Sequence, residues 1–297
     1  MSKNKRNNRN FNESAYLNDK TYLLYFNRLS EIAMSMFEWK LPKSIDTRFL
    51  ERTLFGIGSS LYFYEEDISL YDDSKGSYLA LPARIGGKWN VYNVPTDRLA
   101  YATNGYSRRL TEKNSVIIYN NFNRTNSQYE VSEFARKLYE IDRAIEVNIK
   151  AQKTPILIEC DENQKLSLMQ IYQKYDGNQP VIYAYKGVGD RPLKAITTGA
   201  PYVADRLYEI KTNIWNEALT YLGVPNISFE KKERFVTDEV KRMQAGAVAS
   251  GFGRLASRQF ACEQINEMFY EGKNMASCDY RDGIDYSIES VGNTNNE

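Results

Sequence analysis

Residues 229–243 read FEKKERFVTDEVKRM and are crowded with charges of both signs. The adjacent Lys231 and Lys232, with Arg234 two residues further on, are the kind of point charges that contact phosphates without sequence preference. The same acids and bases also recur at four-residue spacing, which is typical of ion pairs on an exposed helix face. Taken alone, the charges favour the helix face over a phosphate-contacting site.

The chain contains no histidine, and this excludes several chemistries. Ser-His-Asp and Cys-His nucleophiles and histidine-ligated zinc all require that side chain. A GxxxxGK[ST] phosphate-binding loop is also absent from the sequence. Carboxylates with magnesium are left, but Glu65–Glu66–Asp67 and Asp72–Asp73 lie in polar, turn-like sequence, so we expect solvated loops rather than a metal cluster. The sequence therefore predicts no catalytic residue, no metal site and no cofactor.

The charge balance restricts how the chain can bind a polyanion. Its 39 basic and 38 acidic side chains nearly cancel, so any nucleic-acid contact must be local. The first ten residues, MSKNKRNNRN, carry four cations without an acid: Lys3, Lys5, Arg6 and Arg9. They predict a flexible basic arm, which serves either to find phosphates or simply to keep the chain soluble.

Cysteine usage and hydropathy indicate the compartment. The three cysteines form no CxxC pair, and an odd number argues against a disulfide framework, so we expect a reducing compartment such as a cytoplasm. No apolar run approaches the roughly 18 residues of a membrane span, and we expect no membrane contact.

Two long helices are the clearest structural signal. Apolar residues recur at three- and four-residue steps in 129–150 and again in 202–222, so each segment predicts a helix that packs along one face. The second helix is expected to end at Gly223, with Pro225 two residues on. Between them, 153–200 reads as a compact βαββ module, with strands at PILIE, VIYAY and LKAIT and a helix at KLSLMQIYQKY.

The flanking regions are predicted as follows. Residues 16–39 indicate a helix, and Ser44 or Asp46 is suited to cap a second, shorter one. From 57 to 120, the runs LYFY, SYLAL, KWNVYNV and SVIIY predict a small sheet or barrel. The small residues AGAVAS and the Gly251-Phe252-Gly253 turn predict a mobile connection before a last helix at 254–270.

Several segments, taken in order, resemble one known family. They are AQKTPILI (151–158), LSLMQIYQKYDGNQPVIYA (166–184), APYVADRL (200–207), IWNEALTYLG (214–223) and EKKERFVTDEV (230–240). They look like the portal protein of phi29-like small podoviruses, also called the upper collar or head–tail connector. The similarity runs through roughly the last two-thirds of the chain, is weaker near the start, and is least secure over 57–110.

The resemblance implies an α+β fold assembled as a ring of twelve copies, a dodecamer, at one vertex of the viral head. Its parts would be a flexible basic arm (1–15), a wing of helices and a small β region (16–128), a first stem helix (129–152), an α/β clip (153–200), a second stem helix (201–223), a channel loop (224–253), a wing C-terminal helix and strand (254–285) and a flexible tail (286–297).

The resemblance also implies functional residues. Two adjacent channel lysines of the family align with Lys231 and Lys232, a third basic position with Arg206, and Arg234 lies in the same loop. Another family channel lysine falls on Thr197, so this chain departs from the pattern there. Lys3, Lys5, Arg6 and Arg9 match a segment that helps hold a packaging RNA, although the residues differ and use of an RNA stays open.

The implied role is structural: a virion protein, assembled in the host cytoplasm, through which double-stranded DNA is packaged and ejected without sequence preference. Its implied partners are further copies of itself, the major capsid and scaffolding proteins, the packaging ATPase and the tail or lower collar protein. One alternative is a head-completion or tail-adaptor ring, which would lack the order of two helices around an insertion. The other is a magnesium-dependent nucleic-acid enzyme, for which no spaced set of acids stands out.

Overall fold

The computed structural model describes residues 2–70, 76–152, 156–160, 181–185, 201–224 and 237–281, with the backbone alone for 2–18, 151, 156–160, 181–185 and 237–245. The chain divides into two compact units. One comprises Met1–Arg136 with Ile214–Glu297, and the other comprises Lys137–Asn213. Among the described residues, no helix combines the length and the apolar character that crossing a membrane requires.

The described residues form five helices and nine strands. The helices are α1 (Ser2–Ser35), α2 (Thr47–Ile57), α3 (Gln128–Gln152), α4 (Ala204–Leu222) and α5 (Thr237–Tyr270). The strands are β1 (Phe37–Lys40), β2 (Ser59–Glu65), β3 (Ser77–Ile85), β4 (Asp97–Tyr101), β5 (Ser107–Thr111), β6 (Ser115–Tyr119), β7 (Ile156–Cys160), β8 (Val181–Tyr185) and β9 (Ser277–Tyr280).

Helix α1 differs from the sequence prediction at both ends. It begins at Ser2, where a flexible arm was predicted, and it ends at Ser35 rather than at residue 39. The segment contains no proline or glycine, and each residue added to an existing helix gains a hydrogen bond, so nothing stops the helix near its start. At the other end, Phe37–Lys40 leaves the helix to pair antiparallel with Ser277–Tyr280. That partner lies about 240 residues away in the chain, so the local sequence pattern does not predict the pairing.

Helix α2 begins where its cap was predicted. The Asp46 carboxylate accepts hydrogen bonds from the backbone N–H of Arg48, at 2.9 Å, and of Phe49, at 3.3 Å. These bonds satisfy donors that have no partner inside the helix. Although the slight burial of Asp46 opposes the change, the two backbone N–H groups lower the pKa of its carboxyl. The helix ends at Gly58 in the left-handed conformation.

Strands β2 to β6 form one antiparallel sheet, in the order β5-β4-β3-β2-β6. One face holds the core cluster, whose members come from all five strands: Leu61, Phe63, Leu79, Ala83, Ala100, Leu110 and Ile117. Although β4 and β6 are not neighbours in the sheet, the buried guanidinium of Arg98 donates to the backbone carbonyl of Ser115. The sheet therefore curls towards closure, as the predicted small sheet or barrel requires.

The prediction of a strand at residues 88–94 is wrong in detail. Only an isolated bridge joins Trp89 to Pro95, and the residues between them form a turn. The Asn90 side chain accepts from the N–H groups of Tyr92 and Val94, at 3.0 and 2.9 Å, which replaces strand pairing with a local turn. The charged runs 97–101 and 107–111, which the sequence analysis left out, are the strands of this region.

The unit Lys137–Asn213 contains parts of α3 and α4, together with β7 and β8. The Lys211 ammonium lies 2.6 Å from the Asp142 carboxylate, which ties the two helices together. The Asn148 side chain donates to the carbonyl of Pro201 and accepts from the N–H of Val203, at 2.9 and 3.1 Å. Strands β7 and β8 confirm two of the predicted strands and pair in parallel, which requires a crossover between them. The predicted helix 165–175 and strand 193–197 lie outside the described residues.

Helix α5 corrects the prediction of a channel loop over 224–253 with a hinge at 251–253. It begins at Thr237 and continues through Gly251 and Gly253. A Cβ atom on Gly251 would lie 2.6 Å from the Tyr280 hydroxyl, and one on Gly223, which has a φ of +86°, would lie 2.4 Å from the Gly251 Cα. Gly223 and Gly251 therefore permit close contact between α5 and the end of α4, and Gly251 does not act as a hinge.

We expect Gly223→Ala to lower the free energy of unfolding by at least about 2 kcal/mol. A side chain at positive φ costs about 1–2 kcal/mol, and the overlap with α5 adds to it. Gly86→Ala is the control, because its Cβ would meet no atom within 4 Å; we expect a change within about 0.5 kcal/mol. Denaturant unfolding of both variants measures the difference. Equal stabilities would show that the α4–α5 contact does not require glycine.

Candidate nucleic-acid interface

Arg206 is the one predicted DNA contact whose side chain the structure describes. It lies in the first turn of α4 and is exposed. Lys231, Lys232 and Arg234 fall within 225–236, outside the described residues, and Lys3, Lys5, Arg6 and Arg9 lie in α1 where the backbone alone is described. The structure therefore does not test whether these cations share one surface.

Several cations of α3 and α4 are neutralised by acids on the same helices. Arg143 lies 2.8 Å from Glu146, Lys150 lies 3.8 Å from the same carboxylate, and Lys211 pairs with Asp142. Arg206 forms no ion pair within the described part of the chain. Its neighbour Asp205 accepts a hydrogen bond from the Tyr202 hydroxyl at 3.1 Å, and this bond raises the pKa of Tyr202. Arg206 thus has the exposure and the free charge that a phosphate contact requires.

The structure anchors the chain on one side of the segment that carries the predicted lysines. Helix α4 ends where Val224 N–H donates to the Leu219 carbonyl at 2.9 Å, and the Ser250 hydroxyl donates to the Tyr221 carbonyl at 2.6 Å. On the other side, α5 runs from Thr237 towards this contact, so the predicted loop shortens to twelve residues at most, 225–236. The second half of the predicted loop, from Thr237 on, is therefore helical, while the predicted lysines lie outside the described residues.

Aromatic and cationic side chains meet at the end of α4. The Tyr221 ring centroid lies 5.8 Å from that of Phe134 in α3, and the Arg254 guanidinium lies 4.9 Å from the Tyr221 centroid. Arg254 is almost fully buried, and burial lowers its pKa. Its charge lies over a ring, a cation–π contact that favours a desolvated guanidinium. The Phe134–Tyr221–Arg254 contacts hold α3, α4 and α5 together.

A second arginine of α5, Arg258, forms a fully buried ion pair. Its Nε and Nη2 atoms donate to the two Glu51 carboxylate oxygens, each at 2.8 Å. Nη1 donates to the carbonyl oxygens of Asn120 and Arg254, at 2.9 and 3.0 Å, and the guanidinium lies 4.0 Å from the Phe37 ring centroid. The pair therefore joins α5 to α2, to the end of β6 and to β1.

The charge state of Arg258 follows from these contacts. Burial by itself would lower the pKa of Arg258, but the Glu51 carboxylate outweighs it, so the pKa is raised. Glu51 also accepts a hydrogen bond from the Trp39 indole at 2.7 Å. A bidentate pair with additional hydrogen bonds is the geometry that offsets the large desolvation cost of two buried charges.

This pair is not among the predicted contacts, although the sequence carries one signal of it. Arg258 stands three residues before Ala261 and seven before Ile265, both fully buried, so it occupies the apolar face of its helix. A cation at such a position indicates a buried partner, yet the partner, Glu51, lies 207 residues away. The sequence pattern therefore indicates that Arg258 is buried, but it does not identify Glu51 as its partner.

The acidic cluster at 65–67 also needs correction. Glu65 was predicted to lie in a solvated loop, but it is almost fully buried and accepts hydrogen bonds from Arg108, at 2.7 Å, and from the Tyr106 hydroxyl. Asp67 is exposed, as predicted. Asp72 and Asp73 lie outside the described residues. Within the described ranges, no group of three or more acids or cysteines is placed to hold a metal ion.

The described residues thus include a buried ion pair that joins distant elements and an exposed cation on a long helix. A protein-family model, described as Phage Connector (GP10), matches residues 3–277. Because this match covers nearly the whole sequence, the chain belongs to the phage connector family. The structure titled "Portal and tail of native bacteriophage P68" contains a chain that is similar at 15% identity, with a TM-score of 0.49, covering 93% of this chain and 91% of that one.

Family membership defines the class of protein and its place. It is a viral portal, or head–tail connector, protein, a structural component of the virion at the head–tail junction. A connector is a ring oligomer whose partners include capsid and tail proteins. The alternatives, an adaptor ring of another kind and a magnesium-dependent enzyme, are not favoured.

We expect Arg258→Met to lower the free energy of unfolding by about 3–5 kcal/mol, because it leaves the Glu51 carboxylate buried without its partner. Denaturant unfolding measures this loss. Combining Arg258→Met with Glu51→Gln is expected to recover part of it, because the unpaired charge is then removed.

Arg48→Met is the matched control for this substitution. Its guanidinium is 92% exposed and lies 3.5 Å from Asp46, and removing such a surface pair costs less than about 1 kcal/mol. A loss at position 258 no greater than the loss at position 48 would contradict the structural role of the buried pair.

Proposed function

We propose that this connector assembles into a closed ring of twelve copies through whose channel double-stranded DNA is packaged and later ejected. The observation that carries the proposal is the family match over residues 3–277. Two long helices that flank an insertion with its own parallel strand pair agree with the stem and clip that the resemblance implies. The ring acts as a conduit and docking platform, and it neither cleaves DNA nor hydrolyses ATP.

In this proposal Lys231, Lys232, Arg234 and Arg206 contact the phosphates of the passing DNA. A translocating duplex must be held weakly and without sequence preference, and single cations on a loop provide such exchangeable contacts. Rotational symmetry repeats each cation around the channel, so the small net charge of one chain is no obstacle. Arg206 supports the proposal because it is exposed and forms no ion pair within the described residues.

The partners follow from the same proposal. The ring contacts the major capsid and scaffolding proteins during head assembly, then the packaging ATPase, and finally the tail or lower collar protein. Lys3, Lys5, Arg6 and Arg9 lie in the first turns of α1, so their cations would be carried on a helix rather than on a flexible arm. We assign them to the packaging motor or to a packaging RNA, where one is used.

Electron microscopy of the purified protein tests the assembly. We expect closed rings with a central hole, and native mass spectrometry should give a single ring mass that corresponds to twelve copies. A protein that stays monomeric at micromolar concentration would overturn the proposed function, since a single copy encloses no channel.

Replacing Lys231 and Lys232 together with Ala tests the DNA contacts. We expect rings to form normally and DNA binding to weaken, with the slope of log affinity against log salt concentration reduced by about 2 or more, roughly one for each lysine that contacts a phosphate. Salt titration of DNA binding by the rings, together with DNA retention in packaged particles, provides the measurement.

The control replaces two exposed lysines of the β region, Lys88 and Lys113, with Ala. This variant has the same change in net charge and should bind DNA as the unmodified protein does. If Lys231→Ala/Lys232→Ala prevents ring formation instead, the two lysines are structural and not channel contacts.

A further inference from the structure

Two exposed surfaces at opposite ends of the five-stranded sheet differ in character and complement each other. One is an apolar groove with a cation beside it, and the other is an acidic loop that presents a leucine. Both belong to the unit that contains the N and C termini. In a ring built by rotation, each interface joins two different surfaces of the same chain, so such a pair is what a closed ring requires.

The groove lies where β6 meets α5 and encloses about 320 Å³. Its apolar wall includes Val94, Ile117, Tyr119, Phe122 and Phe260. Phe122 is 67% exposed and Phe260 is 60% exposed, so two large rings of the groove face solvent. Exposed apolar surface of this kind, concentrated at one site, is typical of a binding surface.

The cation of the groove is held in place by its own contacts. The Arg124 guanidinium lies 5.1 Å from the Tyr119 ring centroid and donates to the Asn93 carbonyl. The turn that carries it is closed by hydrogen bonds between the side chain of Asn121 and the backbone of Thr125, at 3.1 Å in each direction. Arg124 remains exposed and forms no ion pair within the described residues, so it is ready to accept a carboxylate.

The acidic loop, residues 66–70, follows the end of β2. Ile68 packs against the sheet core, and the Leu70 N–H donates to the Ser77 hydroxyl oxygen at 3.0 Å, so the loop is anchored at two points. Its outward side presents the Leu70 side chain, 52% exposed, together with the carboxylates of Glu66 and of Asp67, whose Oδ2 lies 3.9 Å from Arg108 Nη1. A leucine anchored beside two acids is an apolar side chain that loses little conformational entropy on binding.

The two surfaces cannot meet within one chain. Tyr119, in the groove, pairs with Ser59 at the start of β2, whereas the loop follows Glu65 at the end of that strand. At about 3.3 Å per residue, the strand separates them by about 20 Å. A contact between the loop and the groove therefore requires two copies of the chain.

We propose that the groove is one side of the contact between neighbouring copies in the ring, and that it receives Leu70 of the adjacent copy between Phe122 and Phe260. The carboxylates of Glu66 and Asp67 then face Arg124. Charge complementarity selects this occupant: the groove carries an exposed cation, and the loop supplies acids beside an apolar side chain. A second hollow, beside Arg84 and Arg109, has no aromatic ring in its lining, and its cations share that lining with the Asp97 carboxylate.

The proposal rests on the proposed ring, and cross-linking tests it directly. A Leu70→Cys/Phe260→Cys variant, treated with a short bismaleimide, should give a ladder of covalent oligomers up to the complete ring. Each single-cysteine variant should give none, since its thiol faces no second engineered thiol.

The native cysteines do not interfere with this cross-linking experiment once one of them, Cys160, is replaced. Cys262 and Cys278 are buried and free. Burial, assisted by the carboxylates of Asp279 and Glu263, raises the pKa of Cys262 to about 12, and burial likewise raises the pKa of Cys278. Both thiols are therefore protonated and inaccessible, and Cys160→Ser completes the background.

The matched control places the first engineered cysteine at a different exposed leucine. Leu24, in α1, is 61% exposed, and Leu24→Cys/Phe260→Cys should not form the ladder. The proposed contact is wrong if wild-type rings form but the Leu70→Cys/Phe260→Cys variant gives no ladder. It is also wrong if both cysteine pairs react alike. Neither result contradicts the proposed ring. If the wild-type chain forms no ring, the proposed function itself fails.

Assembly of variants gives a second readout. Phe260→Ser should raise the concentration needed for half assembly by about tenfold or more, whereas Phe252→Ser, at a ring 63% exposed on the same helix, should not. Equal effects would contradict a specific groove. Arg124→Glu should weaken assembly likewise, and adding Glu66→Arg to the same chain should restore it; failure of this rescue would overturn the charge pairing.

Discussion

The buried ion pair between Arg258 and Glu51 is the contact on which the arrangement of the larger unit depends. Two charges with almost no solvent exposure are tolerated because the guanidinium binds both carboxylate oxygens and also donates to the Asn120 and Arg254 carbonyls. An apolar contact at this place would allow the helices to slide, whereas a bidentate pair permits one orientation. The pair thereby determines how α5, α2 and β6 meet.

A series of hydrogen bonds connects this ion pair to the beginning of α3. Asn120, which receives the Arg258 hydrogen bond, donates through its side chain to the Ser127 hydroxyl at 2.8 Å. The Ser127 N–H donates to the Phe55 carbonyl, and Ser127 immediately precedes α3. The position at which the long helix leaves the sheet region is therefore set by a chain of hydrogen bonds that starts at a buried arginine. The glycine contact between α4 and α5 sets the end of the second long helix in a comparable way.

Charge is distributed in two distinct ways over the described surface. Cations of α3 and α4 such as Lys211 and Arg143 are paired with acids, which limits their attraction for a polyanion. Arg206 and Arg124 form no ion pair within the described residues, and we have proposed DNA for the first and a neighbouring copy for the second. A nearly neutral chain can therefore carry local charges for separate contacts, because salt screens charges more than about 8–10 Å apart.

How much the sequence predicts depends on how far apart the interacting residues lie. The helices α3 and α4, the Asp46 cap of α2 and two strands of the insertion each follow from neighbouring residues, and each is confirmed, although Val203 and Ile210 of the predicted apolar stripe are exposed. The errors have two causes. KWNVYNV has a strand composition, but the side chain of Asn90 closes a local turn. The glycine-rich stretch before residue 254 looks like a hinge until a distant helix lies against it. The lysines of residues 225–236 lie outside the described residues and stay a prediction.

The sequence by itself determined the family, the order of the long helices and the absence of histidine chemistry, because those properties depend on residue identity and local spacing. Only the tertiary structure decided that Glu65 and Glu51 are buried partners of arginine, that Gly223 and Gly251 allow a helix contact, and that the groove and the acidic loop lie at opposite ends of one sheet. The physical reason is that burial and pairing join residues 207 positions apart in the Arg258–Glu51 pair and about 240 positions apart between β1 and β9. A one-dimensional pattern carries no information about which distant side chain will fill a given space.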